Sequence, residues 1–225
     1  MQTYFNVSAS EHNFLPARLV VAALAALSAG AGVDAGPSVT AADPTMTENR
    51  LLDDFSHTDG TSTLGPRWEG FTDRVMGGRS EMQIGYRDSD DGPVLHMQGQ
   101  VRLENRGGFI QVRLPLDARG GTFDASAWQG VGVRVRGAPG PYYIHLRTRQ
   151  NWMPWQYYRA PIRVADDWQE QFIPFDVFEG VSIRRRMDPG ALKSLAIVAY
   201  GEAFDADIEI SRVELVAAPA AEPTP

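Results

Sequence analysis

The sequence predicts an all-β domain, a two-sheet antiparallel β-sandwich of the jelly-roll kind. Three observations carry that expectation. From Leu51 onward, apolar residues recur at every second position in one short run after another. Gly- and Pro-rich turn signals separate the runs. No long segment shows the apolar spacing of an amphipathic helix. A run with one apolar and one polar face belongs to a strand buried on one side only. Many such strands build two stacked layers around one core.

The elements follow in order. Residues 1–50 stand apart from the rest. Leu19 to Leu27 is an unbroken apolar run, preceded by Arg18 and followed by Ser28-Ala29-Gly30-Ala31. A basic residue, a short apolar stretch and an Ala-x-Ala site have the form of a secretory signal. The run is too short to span a bilayer. Glu11 and the long stretch before Arg18 keep open a second reading, in which translation starts at Met46. The protein is periplasmic or secreted if residues 18–31 are a signal, and cytoplasmic if Met46 is the start. The folded domain is expected over residues 51–216, with 217–225 as a disordered Ala/Pro-rich tail.

Within the domain, Leu95, Met97, Val101 and Leu103 alternate with His96, Gln98, Gln100 and Arg102. Gly99 falls on the apolar side, where a close approach or a bulge calls for glycine. Ile110, Val112 and Leu114 form the next apolar row, then Val131, Val133 and Val135, then Ile144 and Leu146, then Tyr158, Ala160, Ile162 and Val164. Trp168 to Phe175 and Leu195 to Tyr200 continue the pattern. Ile208 and Ile210 are out of phase with Val213 and Leu215, which predicts a bulge near Ser211. Asp91-Gly92-Pro93, Arg106-Gly107-Gly108, Gly137 to Pro141 and Asp188-Pro189-Gly190 mark turns.

Composition narrows the chemistry. The chain has no cysteine, so disulfides and thiolate metal sites are excluded. A net charge of −7 argues against nucleic-acid binding through a basic surface. The four histidines form no His-x-x-x-His pair, and no Gly-x-Ser-x-Gly elbow occurs. The glycine-rich stretch from Gly130 to Gly137 sits on a strand pattern and opens no helix, so it is no dinucleotide loop. Asp53-Asp54, Asp90-Asp91 and Asp166-Asp167 fall at strand ends or turns and read as solvated turn residues. A structural calcium at Asp53 or Asp54 is the alternative. No catalytic residue, cofactor or metal ligand is assigned. The expectation is a protein that binds rather than catalyses.

Two spaced motifs are more specific. The first runs Trp68-Glu69-Gly70-Phe71-Thr72-Asp73-Arg74-Val75-Met76-Gly77-Gly78-Arg79-Ser80. The second is Asn105-Arg106-Gly107-Gly108-Phe109. Together, Asp73, Val75, Met76, Gly77, Gly78, Ser80, Asn105, Gly107, Gly108 and Phe109 resemble the NADH:ubiquinone oxidoreductase (complex I) intermediate-associated protein family. The resemblance continues through Val133 to Gly137, Tyr143, Leu146-Arg147, Trp168 and Phe175, and covers nearly all of residues 51–216. It implies a galactose-binding-like β-sandwich related to carbohydrate-binding modules. It also implies a role like that of the mitochondrial members, which are assembly factors for complex I, and brings no catalytic residues. One departure is visible: members often have Gly-Asp-Gly before the tyrosine at Tyr143, whereas Gly137 to Pro141 holds no acid.

Physically, Gly77-Gly78 and Gly107-Gly108 suit turns with positive φ or close backbone approach. Met76 is expected to fill a core gap, and Phe109 and Trp68 to anchor the core. Both motifs then serve the fold.

A binding surface is expected if the strands around Arg134, His145 and Tyr157 pair side by side. Their polar faces would carry Arg134, Arg136, Tyr143, His145, Arg147, Arg149, Trp155, Tyr157 and Arg159. The adjoining loop would add Asn151, Trp152 and Met153. Trp, Tyr and Arg dominate interface hot spots. The expected partner is a protein, with a glycan as the alternative. The competing reading is a solvated sheet face with arginine stems lying over aromatic rings. Arg184-Arg185-Arg186 reads as a solvated loop.

Overall fold

The structure is a computed structural model and describes residues 3–6 and 48–217. The signal-like run from Leu19 to Leu27, the alternative start at Met46 and the expected 217–225 tail lie outside the described residues, except Ala217, which ends the last strand instead of opening the tail. No described helix is long and apolar enough to cross a membrane.

The chain forms β1 (Thr3–Asn6), β2 (Arg50–Asp53), β3 (Glu69–Thr72), β4 (Glu81–Ser89), β5 (Gly92–Val101), β6 (Phe109–Pro115) and β7 (Trp128–Gly137). It continues through β8 (Tyr142–Thr148), β9 (Tyr157–Ile162), β10 (Gln169–Pro174), β11 (Glu179–Val181), β12 (Leu192–Tyr200) and β13 (Phe204–Ala217). They build two antiparallel sheets. One has seven strands in the order β1-β4-β5-β13-β7-β10, with β2 also paired to β13. The other has six in the order β11-β9-β8-β12-β6-β3.

The alternating residues meet between the sheets, as a period of two requires. Leu95, Met97, Val131, Val135, Ile208 and Ile210 face inward from the larger sheet. Ile110, Val112, Leu114, Ile144, Leu146, Leu195 and Ile197 face them from the smaller one, and all are buried. Each such side chain contributes roughly 1.5–3 kcal/mol on leaving water.

Two local expectations are met. The register of β13 against β7 shifts between Ile210 and Arg212, which is the bulge at Ser211. Gly99 lies where β4 and β5 come close: a Cβ there would sit 2.0 Å from the carbonyl oxygen of Glu81.

Other expectations need correction. Trp68 does anchor the core, with its ring 5.6 Å from Phe55. Met76, however, is 60% exposed. Phe109 is only half-buried, opposite Tyr200 on the outer side of the smaller sheet. Leu103 is exposed because β5 stops at Val101. Asp90-Asp91 and Asp166-Asp167 are exposed as expected, but Asp53 is buried. Its carboxylate accepts the Trp68 indole N–H at 2.7 Å and the Phe55 amide at 3.0 Å. Burial raises its pKa above the ordinary aspartate value despite those bonds. Among the described residues no three His, Asp or Glu side chains gather as a metal ion would need.

Candidate functional site

The two motifs meet at one end of the sandwich, where the chain passes between the sheets. β3 leads from the smaller sheet to β4 in the larger, and β5 returns to β6 in the smaller. Asp73 lies between these crossings in a 3-10 turn, Asp73–Met76, and is fully buried. Its Oδ1 accepts the Ser80 amide at 2.9 Å. Its Oδ2 accepts the Gly108 amide at 2.6 Å, the Phe109 amide at 3.4 Å and the Ser80 hydroxyl. The Ser80 oxygen in turn accepts the Arg102 amide at 2.9 Å. Asn105, with φ of +57°, donates its side-chain amide to the Gly77 carbonyl at 3.2 Å.

Two glycines are required by this carboxylate. A Cβ on Gly78 would lie 2.3 Å from Asp73 Cγ, and one on Gly107 would lie 2.4 Å from Oδ2. The motifs therefore form one clamp that ties both crossings to a single buried acid. Val75, 65% exposed, and Met76 point away from it.

The arginines expected on one surface are divided between two. β7 pairs with β13 and β10 in the larger sheet, whereas β8 and β9 pair with each other in the smaller. The supposed side-by-side pairing of β7 with β8 and β9 does not occur. The segment from Gly137 to Pro141 crosses between sheets, and Gly137 packs so tightly on β13 that a Cβ would sit 2.1 Å from the Asp207 carbonyl oxygen.

On the larger sheet, the Arg134 and Arg136 guanidinium carbons lie 4.2 and 4.7 Å from the centre of the Trp168 ring system. Glu209, itself buried, accepts from Arg136 and from Arg87 Nε at 2.8 Å. Burial pushes the Glu209 carboxyl up, but the hydrogen bonds from Arg136 and Arg87 outweigh it, so its pKa lies below the ordinary value. Arg134 pairs with Asp91 and Glu170, each at 3.5 Å, and donates to the Ser211 hydroxyl at 3.1 Å.

On the smaller sheet, Tyr143, His145, Arg147, Tyr157 and Arg159 share the outer face, joined by Tyr200 from β12. The register runs straight across: Glu179, Arg159, His145, Ala196, Arg113 and Glu69 lie opposite one another on successive strands. His145 stacks on Tyr157 at 4.1 Å and 18°. Tyr200 meets the rings of His145 and Tyr143 edge-on at 6.1 and 6.3 Å, and Arg159 lies 5.4 Å over Tyr143.

This packing leaves His145 8% exposed, with its Nε2 buried and without a hydrogen-bond partner among the described residues. Burial, and then the positive charge of Arg159, push its pKa down to about 3, so the imidazole is neutral at physiological pH. Burial, and then Tyr200, push the Tyr157 phenol up. Burial, and then Arg113, lower the pKa of Arg147.

Neither Arg147 nor Arg159 forms an ion pair with a carboxylate among the described residues. Arg147 donates instead to the Met153 carbonyl at 3.0 Å. Glu179 faces Arg159 in register without pairing to it. Arg149 is exposed beyond the end of β8.

Trp152 and Trp155 lie beyond this face, on the hairpin that joins β8 to β9. They are 86% and 59% exposed, with Met153 exposed between them. The hairpin is pinned: Gln156 Oε1 accepts the Trp152 and Met153 amides at 2.9 and 3.1 Å, and Asn151 is buried with its oxygen on the Thr148 amide at 2.6 Å.

Sequence reasoning missed Tyr200, Arg113 and Phe71, whose ring lies 4.5 Å beneath Arg113. Alternation puts Arg113 on a polar face, but only the pairing of β12 with both β6 and β8 brings these residues onto the same sheet face as His145.

The family model described as complex I intermediate-associated protein 30 matches residues 54–209. Comparison with curated proteins finds no match. Among solved structures, the chain is similar to the family 11 carbohydrate-binding module of the cellulosomal cellulase Lic26A-Cel5E of Clostridium thermocellum. The TM-score is 0.62 at 12% identity, covering 80% of this chain and 100% of that one. A family 11 module from Clostridium thermocellum in complex with a β-1,3-1,4-mixed-linked tetrasaccharide gives a TM-score of 0.58 at 13% identity, covering 76% and 98%. At these identities the likeness shows the fold, a carbohydrate-binding-module jelly roll.

Proposed function

The chain belongs to the complex I intermediate-associated protein 30 family, and we propose that it is a non-catalytic module that holds a protein partner during assembly of a multi-subunit complex. The gripping surface in this reading is the outer face of the smaller sheet. The observation that carries it is the pair Arg147 and Arg159, which lack carboxylate partners among the described residues beside Tyr143, His145, Tyr157 and Tyr200. Tyrosine and arginine together supply rigid area and planar, bidentate donors. His145 adds an imidazole that carries no charge, so a partner can be met without desolvating a further ion beside the two guanidinium groups. As a catalytic base it is poorly placed, because Tyr157 covers its ring and its Nε2 is buried.

The test is capture of partners from the native host with the full chain as bait, read by mass spectrometry. Tyr157→Ala/Arg159→Ala is expected to lose at least tenfold of the captured partner while melting as a folded protein, because truncating hot-spot residues costs about 2 kcal/mol each. Undiminished capture by the folded variant rules the face out.

A second reading, a glycan-binding module, is favoured by the fold of the solved neighbours and by flat tyrosine rings beside hydrogen-bonding arginines. It is tested by calorimetric titration with the β-1,3-1,4-mixed-linked tetrasaccharide found in one neighbour. Heat that disappears in Tyr143→Ala supports it. No heat together with retained protein capture supports the first reading.

A further inference from the structure

A second surface stands apart from the sheet face. Trp152, Met153 and Trp155 project from the β8–β9 hairpin, and the loop after β11 carries Arg184, Arg185 and Arg186, all exposed. The two segments are stitched together. Gln156 Nε2 donates to the Ser182 carbonyl at 3.1 Å. The Tyr158 hydroxyl is in hydrogen-bond reach of Gln150 Oε1 at 2.7 Å, the Arg185 carbonyl at 3.1 Å and the Arg186 carbonyl at 3.4 Å. None of the three guanidinium groups forms an ion pair among the described residues. The nearest acid in sequence, Asp188, accepts the Gly190 amide at 3.0 Å.

We propose that this end of the sandwich docks on the headgroup layer of an anionic lipid bilayer. Three properties favour a lipid surface. A cluster of arginines on a chain of net charge −7 concentrates positive charge where the rest of the protein carries the opposite sign, and anionic headgroups are its complement. Indole rings settle at the headgroup level, where one edge is wet and the other apolar. The apolar side chains also project from a hairpin tip. A protein partner would need a shaped pocket for each of them, whereas a fluid interface receives them as they stand. The Gln156 side-chain oxygen, which accepts the Trp152 and Met153 amides, holds the tip in place before contact, which lowers the ordering cost. The docking is peripheral and leaves the tyrosine–arginine face free for a partner.

The experiment is co-sedimentation of the full chain with two vesicle types. One is phosphatidylcholine alone, and the other contains phosphatidylcholine and phosphatidylglycerol in about a 2:1 ratio, since the proposal turns on anionic charge. Binding to the anionic vesicles is expected, weakening as salt rises. The triple variant Arg184→Gln/Arg185→Gln/Arg186→Gln is expected to lose roughly a hundredfold in partition, about fivefold per arginine. Trp152→Ala/Trp155→Ala is expected to lose about tenfold through the apolar area withdrawn from the interface. Both sets are surface changes, checked by an unshifted melting temperature.

Any vesicle contact made by residues 19–27 is common to all variants, so the differences carry the result. Equal binding by wild type and both variants overturns the proposal, as does equal binding to neutral vesicles. Absence of vesicle binding, with a protein partner lost in the triple arginine variant, also overturns it and assigns the surface to an acidic protein. Tyr157→Ala/Arg159→Ala is expected to keep vesicle binding, so failure of the sheet-face reading and failure of this one are told apart.

Discussion

The two outer faces of the sandwich hold arginines in opposite ways. On the larger sheet, Arg134 and Arg136 lie over Trp168, and Arg87 and Arg136 share the buried Glu209. Each positive charge there meets an acid or a ring within the same sheet. On the smaller sheet, Arg113 is likewise held by Glu69 and the Phe71 ring, but Arg147 and Arg159 stand among aromatic rings without a carboxylate among the described residues. A face whose charges are already neutralised has little to gain from a ligand. A face with open donors gains from each acceptor that arrives. The same residue types thus hold the fold together on one side and leave a surface available on the other.

This contrast is open to test. Glu209→Ala leaves two half-buried guanidinium groups without their acid and is expected to destabilise the fold by about 3 kcal/mol, measured by urea unfolding. A loss under 1 kcal/mol would mean that the larger face is not internally neutralised in the sense argued.

The two faces also titrate in different windows. His145 has a folded pKa well below the ordinary 6.5, so below pH 6.5 the unfolded chain takes up a proton that the folded chain refuses. Stability then falls as pH falls, with a slope of about 1.4 kcal/mol per unit and a loss of about 2 kcal/mol by pH 5. Glu209 has a depressed pKa. Its contribution is complete above about pH 4.5, the ordinary glutamate value, and is lost only below it. His145→Gln is expected to flatten the upper window and leave the lower one, in unfolding curves taken across both.

Trp168→Ala removes the ring beneath two guanidinium groups and is expected to cost about 1.5 kcal/mol, read as a lower urea midpoint. Arg159→Ala is expected to change stability by less than about 0.5 kcal/mol. It should nonetheless raise the His145 pKa, because it removes the repulsion that helps hold the ring neutral; proton NMR of the imidazole reads this. An unchanged His145 titration would show that Arg159 does not act on the ring.

Much of the architecture was legible in the residues. The alternation marked β5 to β9 and their core faces. The phase change at Ser211 located a bulge, and Gly99 marked a close approach. The two glycine motifs were legible as a unit, but the reason for them was not. Sequence could not show that Asp73 is the acid against which Gly78 and Gly107 both pack. Nor could it show that a clamp filled by that carboxylate would turn Met76 outward despite its apolar side chain. Asp53 escaped for a similar reason: its partner, the Trp68 indole, is fifteen residues away in the chain.

The sequence by itself determined which side chains point to the same side of each strand, because a pleated backbone alternates them whatever its neighbours are. It could not determine which strands become neighbours. That depends on where the chain crosses from one layer to the other, and the turn from Gly137 to Pro141 reads as a hairpin until β7 is seen bound to β13. Only the tertiary structure separated Arg134 and Arg136 from Arg147 and Arg159. Hydrogen-bonded pairing across distant parts of the chain assigns each strand to a sheet, and no local periodicity records it.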